Sequence, residues 1–314
     1  MKLQTFFRCF LQLFFLLAIS NAYSQSKVES NYKNSLLEHY LSQQIQATDT
    51  AFYYTNKQLI SQPLTKENFA VKYKLLFTLW NMDKLDDMEN ICKQLINEPT
   101  TFYADIDSAD AKIYAKYTKF NDFILNSFNN TLYYANEYLG MKNIKAGQYK
   151  KALVYLTTCE KHRYSAICGG MASGISTKHN FLKTICMLKT GKGQQIIDSL
   201  LPNFYNHTNP NLILAIQEMN SKEAINKLLM DAEKSLTIDE CQTKNFYGTF
   251  YERNPVTKGY DANPVTFIDY VVRVKLFDRI FEIPMRKRAD DITPAKDFVV
   301  SMFRKSFFYT SLMN

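Results

Sequence analysis

Between residues 25 and 235, apolar side chains recur at three- and four-residue intervals, with few of the period-two alternations that mark strands. This spacing predicts one helix after another, broken at Pro, Gly or Asn positions. Leu36, Leu37, Tyr40, Leu41 and Ile45 form one stripe; Phe52, Tyr53, Leu59 and Ile60 form a second, stopped by Pro63. Thr65 is placed to cap a third helix, whose face is Phe69, Tyr73, Leu76, Phe77 and Trp80. A long helix is expected after Ser108, presenting Tyr114, Phe120 and Ile124. Asn220 with Glu223 has capping-box spacing ahead of Ala224 and Leu228.

After Glu240 the period changes. Phe246 to Tyr251 is aromatic and strand-like, and Tyr270, Val272, Val274 and Leu276 alternate with Val271, Arg273 and Lys275. Strand fits the β-branched density of this segment better than the alternative, a helix over 270–281. Arg279 to Ile283 is expected to return as a hairpin partner across Asp278, before Pro284. Asn254-Pro255 and Asn263-Pro264 read as turns, and Thr293-Pro294 as the opening of a last helix with Phe298, Val299, Met302 and Phe303 inward.

Read in pairs, the helices show a repeat, sharpest at Leu139-Gly140, Gly147-Gln148-Tyr149, Ala152 and Leu156. Gly140 and Ala152 are small enough for two antiparallel helices to approach closely, and Gly147 suits a turn of positive φ. These residues at these spacings resemble a tetratricopeptide repeat. Trp80 to Pro99 and Leu188 to Pro202 carry weaker copies, although Gly147 to Gly191 is 44 residues against a family period of about 34. The resemblance implies a mainly α fold, antiparallel helical hairpins stacked as a solenoid, with a groove for a peptide or a partner protein. A generic helical bundle is the alternative. The expected organisation is a leader over residues 1–24, a helical-repeat domain over 25–240 and a small α+β module over 241–314.

The leader is read from Lys2 and Arg8 ahead of an apolar run over residues 10–19, followed by small residues, with cleavage after Ser24 or Ala22. Its apolar core is about half the roughly 20 residues of a spanning helix. An exported location, periplasmic or secreted, with no transmembrane segment after cleavage, is the expectation. The formal charge of +8 includes Lys2 and Arg8, and the basic run Arg286-Lys287-Arg288 is answered by Asp290-Asp291. A nucleic-acid binder concentrates its basic residues on a stripe, so that partner is not expected.

The chain holds 6 cysteines, of which Cys9 falls in the leader. An odd remainder in an oxidising compartment leaves a thiol unpaired; Cys159 and Cys168 are the candidate disulfide. Cys92 and Cys241 read as small buried hydrophobes. Cys159, His162, Cys168, His179 and Cys186 lack the paired spacing of structural zinc ligands. The glycines from Gly169 to Gly174 lack the preceding strand of a phosphate loop and read instead as residues for close helix packing. No catalytic residue, metal or cofactor is assigned. The expected function is non-catalytic protein or peptide binding in the cell envelope. The alternative is an envelope-polymer hydrolase or saccharide-binding protein with Tyr260, Asp261 and Asp269 at its site.

Overall fold

A computed structural model describes residues 34–43, 47–106, 127–162, 169–205, 209–240, 246–253 and 260–313. The expected leader over residues 1–24, the helix expected after Ser108, the expected turn at Asn254-Pro255, and Cys168 and Cys241 lie outside the described residues. The protein is mainly helical with a small antiparallel sheet. Two compact units divide at Cys186 and Met187.

The first unit begins with α1 (34–41) and α2 (Ala47–Asn56). They are followed by α3 (Phe69–Asn81), α4 (Leu85–Asn97), α5 (100–106), α6 (Ser127–Lys145) and α7 (Tyr149–Cys159). Most of α8 (Gly169–Lys189) also belongs to this unit. Helix α3 packs on α4, α4 on α6, and α6 on α7, so two hairpins stack through neighbouring helices. Buried on nearly every side, α6 places Leu132, Ala135, Leu139, Met141 and Ile144 in the core. Its buried surface also carries the polar residues Asn136, Glu137 and Asn143, and both asparagines donate within the helix, Asn136 Nδ2 to Leu132 O at 2.7 Å and Asn143 Nδ2 to Leu139 O at 2.6 Å.

Thr65 acts one turn ahead of α3: its Oγ1 accepts from Asn68 N–H at 3.3 Å while its own N–H donates to Asn68 Oδ1 at 2.9 Å. The tight turns that follow α3, α6 and α8 share one geometry. Asp83, Gly147 and Gly191 take φ of 56°, 69° and 75°. The next residue's N–H then reaches back five positions, Lys84 to Leu79 O at 2.9 Å, Gln148 to Asn143 O at 2.8 Å and Lys192 to Met187 O at 2.8 Å. This is the Schellman termination, which satisfies helix-end carbonyls and needs a left-handed residue.

The second unit holds α9 (Gly193–Leu200), α10 (Pro210–Met219) and α11 (Lys222–Ser235). Its strands are β1 (Thr237–Glu240), β2 (Phe246–Arg253), β3 (Tyr260–Leu276) and β4 (Arg279–Arg288). It closes with α12 (Ala295–Lys305) and α13 (Phe307–Met313). All pairings in the sheet are antiparallel to β3. Val274 faces Phe281, Val272 faces Ile283 and Tyr270 faces Met285 across the β3–β4 pair, so the alternation read from the sequence delivers one apolar face. Helices α9 to α13 pack on that face in one core with Leu212, Ile216, Leu229, Phe303 and Phe308. This shared core is why α9 to α11 belong to the same compact unit as the sheet.

Local signals moved in three places. Ser221 and not Asn220 caps α11, its Oγ accepting from Ala224 N–H at 3.2 Å, because Asn220 Nδ2 donates to Ile216 O and closes α10. Asn263-Pro264 is not a turn: Asn263 pairs with Phe250 and Pro264 with Thr249 inside β3. Only β2 pairs with β3 at that point among the described residues, so a residue without N–H costs no bond on the unpaired side. Pro284 likewise does not end β4, which continues to Arg288 with β3 as its only partner among the described strands. Phe277 and Asp278, at φ of 47° and 62°, supply the two left-handed residues of a tight β-hairpin turn.

Candidate functional site

Within the first unit, α3 and α6 meet through an aromatic ladder. Tyr73 lies edge-on to Phe77 at 5.2 Å between centroids, Phe77 to Tyr134 at 5.3 Å and to Tyr138 at 5.6 Å, and Trp80 to Tyr138 at 5.4 Å. Edge-to-face pairs of this kind contribute about 0.5–1.5 kcal/mol each beyond their buried area. Tyr133, on the next side of α6, turns instead toward α8 and meets His179 at 5.9 Å. Consecutive tyrosines are thus divided between two neighbouring helices.

At the C-terminal end of this ladder lies a cavity of about 300 Å³, lined by Trp80 of α3, Tyr138 and Met141 of α6, Lys178 of α8, and His39 and Tyr40 of α1. Beneath it, Glu137 is fully buried and accepts from Lys178 Nζ at 2.6 Å and from Tyr133 Oη at 3.3 Å. Burial, reinforced by Glu137, pushes the Tyr133 phenol far above its ordinary range, and burial does the same to Tyr138. Both rings present neutral hydroxyls at any physiological pH. His179 is held below its ordinary value chiefly by burial, and its Nε2 lies 3.7 Å from Glu160 Oε1, beyond hydrogen-bond length.

Helix α1 and the residues after it touch more than one neighbouring helix. Tyr40 packs on Phe181 of α8 at 5.5 Å. Two residues beyond the helix, Gln43 donates to Asp83 Oδ1 at 2.7 Å and accepts from Lys145 Nζ at 3.0 Å. The Gln43 and Lys145 hydrogen bonds hold the Asp83 carboxyl below the usual carboxylate range. Residues 34–43 therefore bridge the face made by α3, α6 and α8.

Leu139, Gly140, Gly147, Tyr149, Ala152 and Leu156 all lie in the α6–α7 hairpin. A Cβ on Gly140 would lie 3.0 Å from Leu156 Cγ and Cδ2 and 3.6 Å from Ala152 O. Leu139, Ala152 and Leu156 are buried, Tyr149 opens α7, and Gly147 forms the turn. Cys159 Sγ donates to Tyr133 O at 3.4 Å from a buried position; its candidate partner Cys168 lies outside the described residues. Cys92, Cys159 and Cys186 are buried, and burial raises all three thiols, Cys186 to about 12. Among the described residues, a Cβ on Gly174 would meet nothing within 4 Å.

No three His, Cys, Asp or Glu side chains converge as metal ligands among the described residues. Asp261 and Asp269 sit eight residues apart on β3, roughly 26 Å at the rise of a strand, and Asp269 accepts from Arg286 Nε at 2.8 Å. By backbone placement the two positions lie too far apart along the strand to share one site. Among the described residues no helix is long and apolar enough to cross a membrane.

No family model, curated protein or solved structure matches this chain. The site must be read from its own chemistry. Aromatic edges, a lysine held by a buried glutamate and a buried histidine make up or adjoin this cavity.

Proposed function

We propose that this is an exported, non-catalytic binding protein of the cell envelope, in which helical hairpins stacked in a tetratricopeptide-like manner hold a short segment of a partner protein. The observation that carries the reading is the bridging of α3, α6 and α8 by residues 34–43. Stacks of hairpins leave an extended groove along their first helices, and α3 and α6 are the first helices of the two stacked pairs. Here a segment of the chain lies across that face, with a tyrosine on α8 and a glutamine at the helix ends. The shared Schellman turns and the small residues Gly140 and Ala152 support the repeat reading, and the apolar run after Lys2 and Arg8 supports export.

If residues 34–43 occupy the binding face in cis, they compete with any ligand in trans. The test is capture from envelope extracts by the native chain and by Tyr40→Ala, with the synthetic peptide Asn34–Gln43 as competitor. A partner recovered in greater amount by Tyr40→Ala and displaced by the peptide is the expected result. Recovery indifferent to both the substitution and the peptide contradicts it.

A further inference from the structure

A second cavity, of about 520 Å³, lies wholly within the C-terminal unit between the apolar face of β3 and β4 and the pair α12–α13. Its walls include Phe204, Val272, Met285, Phe303 and Phe308, and Phe204 meets Phe308 edge-on at 5.0 Å. Met302 and Phe307 also line it and are 53% and 39% exposed, so the cavity opens to solvent past a flexible thioether and a ring. Methionines and phenylalanines in such a lining adapt to a flexible apolar guest.

The polar side chains of the lining are Tyr205, Ser306 and Lys305, of which Lys305 alone is charged. Ser306 Oγ is spent within the helix ends, donating to Phe303 O at 2.6 Å and accepting from Tyr309 N–H at 3.2 Å. Lys305 Nζ has neither an ion-pair nor a hydrogen-bond partner among the described residues. Its neighbour Arg304 is engaged by Glu233 through two bonds of 2.7 Å and 2.6 Å. No carboxylate lines the cavity among the described residues. An apolar chamber of ligand size with a single unengaged cation complements a guest that has one long apolar part and one negative end.

We propose that this cavity binds a free long-chain carboxylate, its alkyl chain among Phe204, Val272, Met285 and Phe303 and its carboxylate paired with Lys305. The site is separate from the peptide-binding face and does not depend on it. Chain burial sets the affinity, and Lys305 selects an acid over the neutral analogue.

The test is calorimetric titration of the full chain with octanoate, decanoate and dodecanoate, each below its micelle-forming concentration. Dodecanol and phosphatidylglycerol vesicles run beside them. Affinity should rise about fourfold for each added methylene. Lys305→Glu should weaken dodecanoate about five- to tenfold while leaving dodecanol unchanged; Lys305 is exposed, so the variant keeps its core. Dodecanoate binding that ignores chain length, a Lys305→Glu variant that treats acid and alcohol alike, or binding to vesicles without binding to monomeric dodecanoate would each overturn the proposal.

Discussion

Gly140 and Gly147 stand seven positions apart and are required for different physical reasons. At Gly140 the limit is space, because a methyl group would meet the fully buried Leu156 at 3.0 Å. At Gly147 a Cβ would meet nothing within 4 Å among the described residues, and the limit is the backbone, at φ 69°. Gly140→Ala should destabilise the protein by about 1–3 kcal/mol through overpacking, and Gly147→Ala by about 1 kcal/mol through left-handed strain. Asn tolerates the left-handed region, so Gly147→Asn should recover much of the loss while Gly140→Asn is worse than Gly140→Ala. Urea midpoints of the four variants decide this; an equal response to Asn at both positions would show that the two glycines act alike. Both roles were legible from spacing alone, since small residues at a crossing and a glycine between helices are local signals. Asp83 was not, because an aspartate does not announce a positive φ, although its place after Trp80-Asn81-Met82 matches that of Gly147 after Ile144-Lys145-Ala146.

Among the elements, the link between α4 and α6 carries the clearest electrostatic signature. Lys142 of α6 donates to Asp86 at 2.7 Å and to Glu89, both on α4, and Lys93 donates to Glu89 at 2.7 Å. These bonds pull the Glu89 carboxyl from its ordinary 4.5 to about 2. A carboxyl whose pKa is depressed by folding stabilises the folded state above its unfolded value and loses that contribution as pH falls through its folded value. Stability from Glu89 should therefore be complete above pH 4.5 and disappear on the way down to about 2. Glu89→Gln should flatten this part of the profile in urea midpoints taken across that range; an unchanged acid limb would remove Glu89 from the account. Helices and strands themselves were readable because their apolar periods differ. What misled were one-residue markers with two uses, as when Asn220 closes α10 and leaves the cap to Ser221, or when Pro264 sits in a strand segment paired on one side.

On the scale of the whole molecule, each unit has its own core and its own cavity, and the sequence conveys these unevenly. The alternation in β3 foretold an apolar sheet face, but not that α9 to α11 would share its core, because periodicity gives the face of an element and not its neighbour. The aromatic stripe Phe69, Tyr73, Phe77 and Trp80 was visible, while the tyrosines completing the ladder come from α6, some 60 positions later. The bridging of α3, α6 and α8 by residues 34–43 leaves no sequence signal at all, since Leu36, Leu37, Tyr40 and Leu41 read as any amphipathic helix. Trp80, the single tryptophan, lines the cavity that this segment covers and so reports on it alone. The most direct measurement is the Trp80 emission of Tyr40→Ala titrated with the peptide Asn34–Gln43. A saturable return toward the emission of the native chain, reached at lower peptide concentration than any change in the native chain itself, is the predicted result. A Tyr40→Ala variant whose emission already equals the native one and does not respond to the peptide would contradict a binding face bridged by its own N-terminal helix.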